Sequence, residues 1–193
     1  MYALDSAGTV IATLNVAWGN SHIVGGAYHA VRDTMFFVQD RNGGGQANQI
    51  AEVNPETGAV LNTFSTSASG VDVNYGDMDV SPANGNLFVV SSNESSIAEF
   101  TPVGVLVKTY PLPAGVNSLS GIGMNDSGND GWVAETGGDV FRLVGFPGAT
   151  CLADWNQDFI LNTSDFIGYL NDFNSVMGGG SFTHQDPDIA VPF

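Results

Sequence analysis

The twelve residues from Asp154 to Asp165 put an oxygen-bearing side chain at almost every second position. Asp154, Asn156, Asp158, Asn162 and Asp165 supply side-chain oxygens, and the carbonyl of Ile160 falls between them. All six donors are hard oxygens, which suits a hard divalent cation. Calcium takes six to eight oxygens at about 2.3–2.6 Å, and alternate residues of a tight loop can aim several of them at one point. The spacing therefore predicts a Ca2+ site built from Asp154, Asn156, Asp158, Ile160, Asn162 and Asp165. Leu161 is apolar and would pack inward. Phe159 stands at the sixth position, where such loops carry glycine for a positive φ. A bulky residue there is strained by about 1–2 kcal/mol.

Other reactive residue types lack company of the right kind. Asp77, Asp79, Asn125, Asp126 and Glu135 are the nearest candidates for metal ligands in the first 146 residues. Asp and Asn near Gly are first of all turn formers. His22 and His29 flank a Gly-rich stretch, with no Ser-His-Asp or His-Glu-x-x-His arrangement. Gly43-Gly-Gly45 has no lysine and no following helix, so it reads as a turn between strands and not as a phosphate loop. No catalytic residue is assigned. The single cysteine, Cys151, is either a small buried side chain or half of a bridge whose partner lies elsewhere. His184 follows a Gly-rich linker, Met177-Gly-Gly-Gly180-Ser, and reads as solvated.

The elements around these residues are of two kinds. After the loop, Asn162 or Thr163 can cap a helix over roughly 163–173, and Phe166, Tyr169, Leu170 and Phe173 recur at helical spacing. Before it, one pattern repeats. Tyr2-Ala-Leu-Asp-Ser-Ala-Gly8, Ala51-Glu-Val-Asn-Pro-Glu-Thr-Gly58 and Ala98-Glu-Phe-Thr-Pro-Val-Gly104 each run a strand into a turn and out into another strand. Val140-Phe-Arg-Leu143 is a shorter fourth copy. Tyr2, Ala51, Ala98 and Phe141 match, at intervals of about 43 to 49 residues. Between the copies lies a second hairpin pattern, clearest at Asp79 to Val90 and present again at Ala30 to Val38 and Gly123 to Ala134. Two hairpins in about 45 residues is the content of one four-stranded propeller blade. The fold class predicted is mainly β: a partial β-propeller of about three blades over 1–146, then a small α-helical calcium-loop module over 151–193.

Composition agrees and excludes some partners. Charged residues make up only 12% and glycine is abundant at 25, as turn-rich β proteins require. The net charge of −16 repels nucleic acid and anionic membranes. No run of 18 apolar residues is present, so no membrane span is predicted. A signal sequence is not visible at Met1, which suggests that upstream blades and a leader are missing from this chain.

Two resemblances follow from these residues. The repeat is similar to secreted bacterial propellers of the NHL and lactonase-like type. The run Cys151-Leu-Ala-Asp-Trp-Asn-Gln-Asp-Phe-Ile-Leu-Asn-Thr-Ser-Asp165, with Asp and not Glu at its end, resembles the EF-hand-type loop of dockerin modules in planctomycete-type secreted proteins. That family carries two loop–helix repeats, and a second would open at Asp186-Pro-Asp188 and stop short. The resemblances imply a secreted or cell-surface, non-catalytic binding and anchoring protein. A calcium-dependent module would dock to a cohesin-like or cell-envelope partner, and the propeller would recognise an unidentified ligand. The alternative is a metal-dependent lactonase-like hydrolase on the propeller.

Overall fold

The computed structural model describes residues 2–128 and 130–144, together with Ile167 and Leu170. Among the described residues, thirteen strands form from the repeat. They are β1 (Tyr2–Leu4), β2 (Val10–Thr13), β3 (Ile23–His29), β4 (Thr34–Gln39), β5 (Gln49–Val53), β6 (Val60–Ser65) and β7 (Asp77–Val80), then β8 (Leu87–Val90), β9 (Ser96–Phe100), β10 (Leu106–Pro111), β11 (Leu119–Met124), β12 (Asp130–Glu135) and β13 (Val140–Val144). All pairings are antiparallel between neighbours in sequence. Blade I is β3-β4-β5-β6, blade II is β7-β8-β9-β10, and blade III is β11-β12-β13; β1 and β2 form a hairpin sheet of their own. Among the described residues, the predicted partial propeller thus comprises two four-stranded blades, three strands of a third and one hairpin.

Every copy of the sequence repeat falls at the same place. Ala51, Ala98 and Phe141 lie on the third strand of blades I, II and III, and Tyr2 lies on β1. The turns have the predicted chemistry. Gly58 and Gly104, at the β5–β6 and β9–β10 turns, have φ of 73° and 90°. Gly104 also leaves no room for a side chain, since a Cβ there would lie 2.5 Å from Cγ of Phe64 in blade I. The Gly43–Gly45 stretch lies in the β4–β5 connection, where Gly44–Gln46 make one 3-10 turn.

The first strands β3, β7 and β11 lie side by side, so the blades fan about one edge. Their faces stack through two apolar layers. Ala27, Phe36, Val38 and Ile50 of blade I meet Met78, Val80, Leu87, Val89 and Phe100 of blade II. Phe88, Val90, Ile97 and Tyr110 of blade II meet Leu119, Ile122, Val133 and Leu143 of blade III. The second strand β8 has apolar residues throughout, Leu-Phe-Val-Val, because both of its faces are covered. On the far side of blade I, Trp18 packs on Ala51 and Val53.

The predicted calcium loop, Asp154, Asn156, Asp158, Ile160, Asn162 and Asp165, lies outside the described residues, as do Cys151 and His184. Of the predicted helix over 163–173, Ile167 and Leu170 are described, and both have helical backbone and exposed side chains. No helix among the described residues is long and apolar enough to cross a membrane.

Candidate functional site at the loop end

Antiparallel order sends the connections between second and third strands, and those between blades, to one end of the arc. The segment from Thr66 to Gly76 is such a connection, joining β6 to β7, and Asp72 is its hub. Its carboxylate accepts Nη1 of Arg41 at 2.9 Å and Nδ2 of Asn48 at 3.0 Å, both from the β4–β5 loop. From the β8–β9 loop, Nδ2 of Asn93 donates to it at 3.0 Å. The Asp72 amide in turn donates to Oε1 of Glu94 at 2.8 Å. Hydrogen bonds from Asn93 and Asn48, with the charge of Arg41, hold the Asp72 carboxyl below the usual range. One side chain therefore ties loops of two blades together.

The same loops are braced around it. Oδ1 of Asn48 accepts the Val73 amide at 2.8 Å, and the Arg41 amide donates to the Val73 carbonyl at 2.7 Å. The Ser91 hydroxyl donates to the Asp72 carbonyl at 2.7 Å and accepts the Asn74 amide at 2.9 Å. Next comes Tyr75, exposed and held at φ 42°. A bulky residue with positive φ is an outlier that its surroundings must impose. Gly76 explains the constraint: the chain passes so close to β8 that a Cβ there would lie 2.2 Å from the Val90 carbonyl oxygen. The result is a braced polar surface with one exposed aromatic ring beside the start of the inner strand.

The carboxylates singled out from sequence have structural work. Asp77 and Asp79 point from β7 to β11, where Oδ2 of Asp77 accepts the Ile122 amide at 3.2 Å and Oδ2 of Asp79 the Met124 amide at 2.7 Å. Among the described residues, β11 is an edge strand with no ladder partner on that side, so the carboxylates fasten blade III to blade II. Burial pushes the Asp77 carboxyl up despite its two amide bonds. Glu135 accepts the Asn117 amide at 2.7 Å, and Asn125 accepts the Asp130 amide at 3.2 Å within the β11–β12 turn. Asp126 is exposed in that turn. These five residues are not brought to one point. Among the described residues, no three His, Cys, Asp or Glu side chains form a group able to hold a metal.

At the opposite end, each turn between first and second strands is held by a charge on the third strand. Glu52 is buried and accepts Nε and Nη2 of Arg32 at 2.7 and 3.0 Å and the Thr34 hydroxyl at 2.8 Å. Glu99, its repeat equivalent, accepts Asn84, Asn86 and the hydroxyl of Tyr110. In blade III the equivalent residue is Arg142, paired with Asp130. Buried His29 joins blades I and II. Its Nδ1 accepts the Arg32 amide at 3.3 Å, so the proton belongs on Nε2, which donates to the Gly85 carbonyl at 3.0 Å. An open cleft of ≈ 390 Å³ lies there, lined by His29, Val31, Arg32, Pro82, Asn84 and Pro102 among others.

The Asp72 hub was not foreseen from sequence, because its partners come from two loops, β4–β5 and β8–β9, at unrelated spacing. Glu52 and Glu99 did carry a signal: both follow Ile-Ala at the same place in the repeat.

No family model matches the sequence, and no curated protein matches it. Solved structures do. A luciferin-regenerating enzyme is 18% identical, with 76% of this chain and 51% of that chain covered and a TM-score of 0.55. Streptogramin B lyase is 17% identical over 76% of this chain and 48% of that one, with a TM-score of 0.47. Virginiamycin B lyase from Staphylococcus aureus is 13% identical over 76% and 48%, also at 0.47. The chain spans about half the length of these proteins. The likeness to the luciferin-regenerating enzyme shows the fold, a partial β-propeller.

Proposed function

We propose that the chain is an extracellular binding and anchoring protein, in which the loop end of the propeller recognises a ligand and the 151–193 segment docks to a scaffold when calcium is bound. The observation that carries the recognition half is the Asp72 hub, which fixes loops of two blades into one surface and leaves Tyr75 exposed on it. A preformed surface with a rigid aromatic loses little entropy on binding. Anchoring rests on the donor set of Asp154, Asn156, Asp158, Ile160, Asn162 and Asp165, which is all oxygen and suits Ca2+. A cohesin-like or cell-envelope protein is the partner that the dockerin resemblance supports.

Calorimetric titration of Ca2+ into the chain and into the D154A/D158A variant tests the anchoring half. Heat of binding in the parent that vanishes in the variant is the expected result. Equal traces would sink the loop as a metal site.

A lactonase-like metal-dependent hydrolase is the second reading, and the fold likeness to an enzyme favours it. Asp77 and Asp79 hold the amides of β11, and among the described residues no three His, Cys, Asp or Glu side chains form a group able to hold a metal. Calcium-dependent turnover on a panel of lactones and esters would move this reading to first place.

A further inference from the structure

The residue at the entry to the first strand has a different fate in blades II and III. The amides of Ser92 and Thr136 donate to the carbonyls of Asn74 and Ser118 at 2.9 and 3.0 Å, which makes Tyr75 in blade II the equivalent of Leu119 in blade III. Leu119 is 0% exposed and packs in the layer between the blades, whereas Tyr75 is 66% exposed. The repeat places a core residue there, and blade II holds a ring out to solvent instead. Its backbone is left-handed, with φ 42°. Among the described residues, the other non-glycine positions with positive φ are Asp33, Asn48 and Ser118, all small and polar. Tyr75 alone carries a large side chain in that conformation and gains no core packing from it. Strain kept at an exposed aromatic ring points to a ligand.

Beside the ring, polar groups are held in place with bonding capacity to spare. The Arg41 side chain uses Nη1 on Asp72, which leaves Nε and Nη2 without a partner among the described residues. Asn93 commits one hydrogen of Nδ2 to Asp72 and keeps the other. Nδ2 of Asn74 donates to the Ser92 hydroxyl at 3.0 Å and to Oδ1 of Asn93 at 3.4 Å, while its own Oδ1 accepts nothing among the described residues. The free groups are thus fixed donors together with a fixed acceptor. They suit hydroxyls, each of which both donates and accepts. Charge narrows the ligand further. Arg41 neutralises Asp72, and the net charge of −16 repels anions.

We infer that this surface takes a neutral glycan, with the C–H face of a pyranose stacked on Tyr75 and neighbouring hydroxyls held by Arg41, Asn74 and Asn93. This names the ligand class and rests on the reading of the loop end as a recognition surface. The electron-rich face of the ring attracts the polarised C–H bonds of the sugar. A tyrosine already fixed by its loop gives that contact at little cost in entropy.

Affinity electrophoresis of the full chain, Y75A and Y75W tests this, in gels holding hydroxyethyl cellulose, arabinoxylan, galactomannan or glycol chitin, with polygalacturonate as the anionic control. We expect at least one neutral glycan to retard the parent and polygalacturonate not to. The dissociation constant should rise roughly tenfold or more in Y75A and stay within about threefold in Y75W, which keeps a stacking face. Circular dichroism checks that Y75A stays folded; should it not, the indole emission of Y75W, shifting on glycan binding beyond any change in the parent, carries the test. A neutral-glycan affinity that Y75A leaves unchanged, or retardation by polygalacturonate alone, overturns the inference. Failure of the whole neutral panel overturns it as well, and fluorescence anisotropy of a lysine-rich peptide then separates the two readings. Peptide binding lost in Y75A would replace the glycan by a cation on the ring and leave the loop end a recognition surface. No binding of either kind would overturn both.

Discussion

Replacing Glu52 with glutamine keeps the side-chain volume and removes the charge that holds the β3–β4 turn. In the parent, Glu52 accepts three hydrogen bonds, two from Arg32 and one from Thr34. Glutamine keeps one acceptor oxygen, which serves Thr34 and Nε of Arg32. Its amide group would face Nη2 of Arg32, donor against donor. One charge-assisted bond is lost, for about 1.5–3 kcal/mol. Arg32 is half-exposed and can turn to water, which keeps the cost near the middle of that range at about 2 kcal/mol. For a chain of this size that lowers Tm by roughly 4–8 °C at neutral pH. The pH dependence separates charge from packing. Burial pushes the Glu52 carboxyl up, but the bonds from Arg32 and Thr34 and the nearby positive charge outweigh it, and the folded pKa lies below the ordinary 4.5. A lowered carboxyl pKa contributes stability that is present above the unfolded value and lost as pH falls through the folded one. The gap in Tm between parent and E52Q should therefore hold from pH 7 to about 4.5 and shrink in more acid solution. Thermal melts by circular dichroism across that range decide it. A gap of under about 1 °C at pH 7, or one that persists unchanged well below the folded pKa, refutes the assignment of the effect to charge.

Two other substitutions probe the second blade. F88A empties a fully buried site between blades II and III and should destabilise the fold by about 3–5 kcal/mol in urea titrations; a cost under about 1 kcal/mol would mean that the two blades are not packed as described. For Y110F the readout is alkaline. Burial and the bond to Glu99 push the Tyr110 hydroxyl well above its ordinary 10.0, so its contribution is complete below pH 10.0 and is lost as pH rises through the folded value. The parent should therefore lose stability more steeply than Y110F above that pH, and parallel curves would count against the buried hydroxyl–carboxylate pair.

The architecture of the first 144 residues was legible in the sequence because turns and strands are local. Glycine at a fixed offset after Ala51 and Ala98 marks the turn, and apolar alternation marks the strands, so the matching of Tyr2, Ala51, Ala98 and Phe141 located one strand in each repeat. The oxygen spacing from Asp154 to Asp165 is equally local, and it remains a prediction from sequence alone. What each polar side chain does depended on the tertiary structure. Asp77 and Asp79 looked like candidate ligands, yet they fasten β11, because the packing of β7 against β11 turns their carboxylates toward two edge amides 45 residues away in the chain. Asp72 draws its partners from loops on both sides, a meeting that no spacing encodes. Trp132 and Phe88 occupy the same repeat position and differ only in whether a further blade lies over them. A repeat fixes which face of a strand is apolar, because alternation has a period of two; what covers that face is decided by the neighbour that packs there.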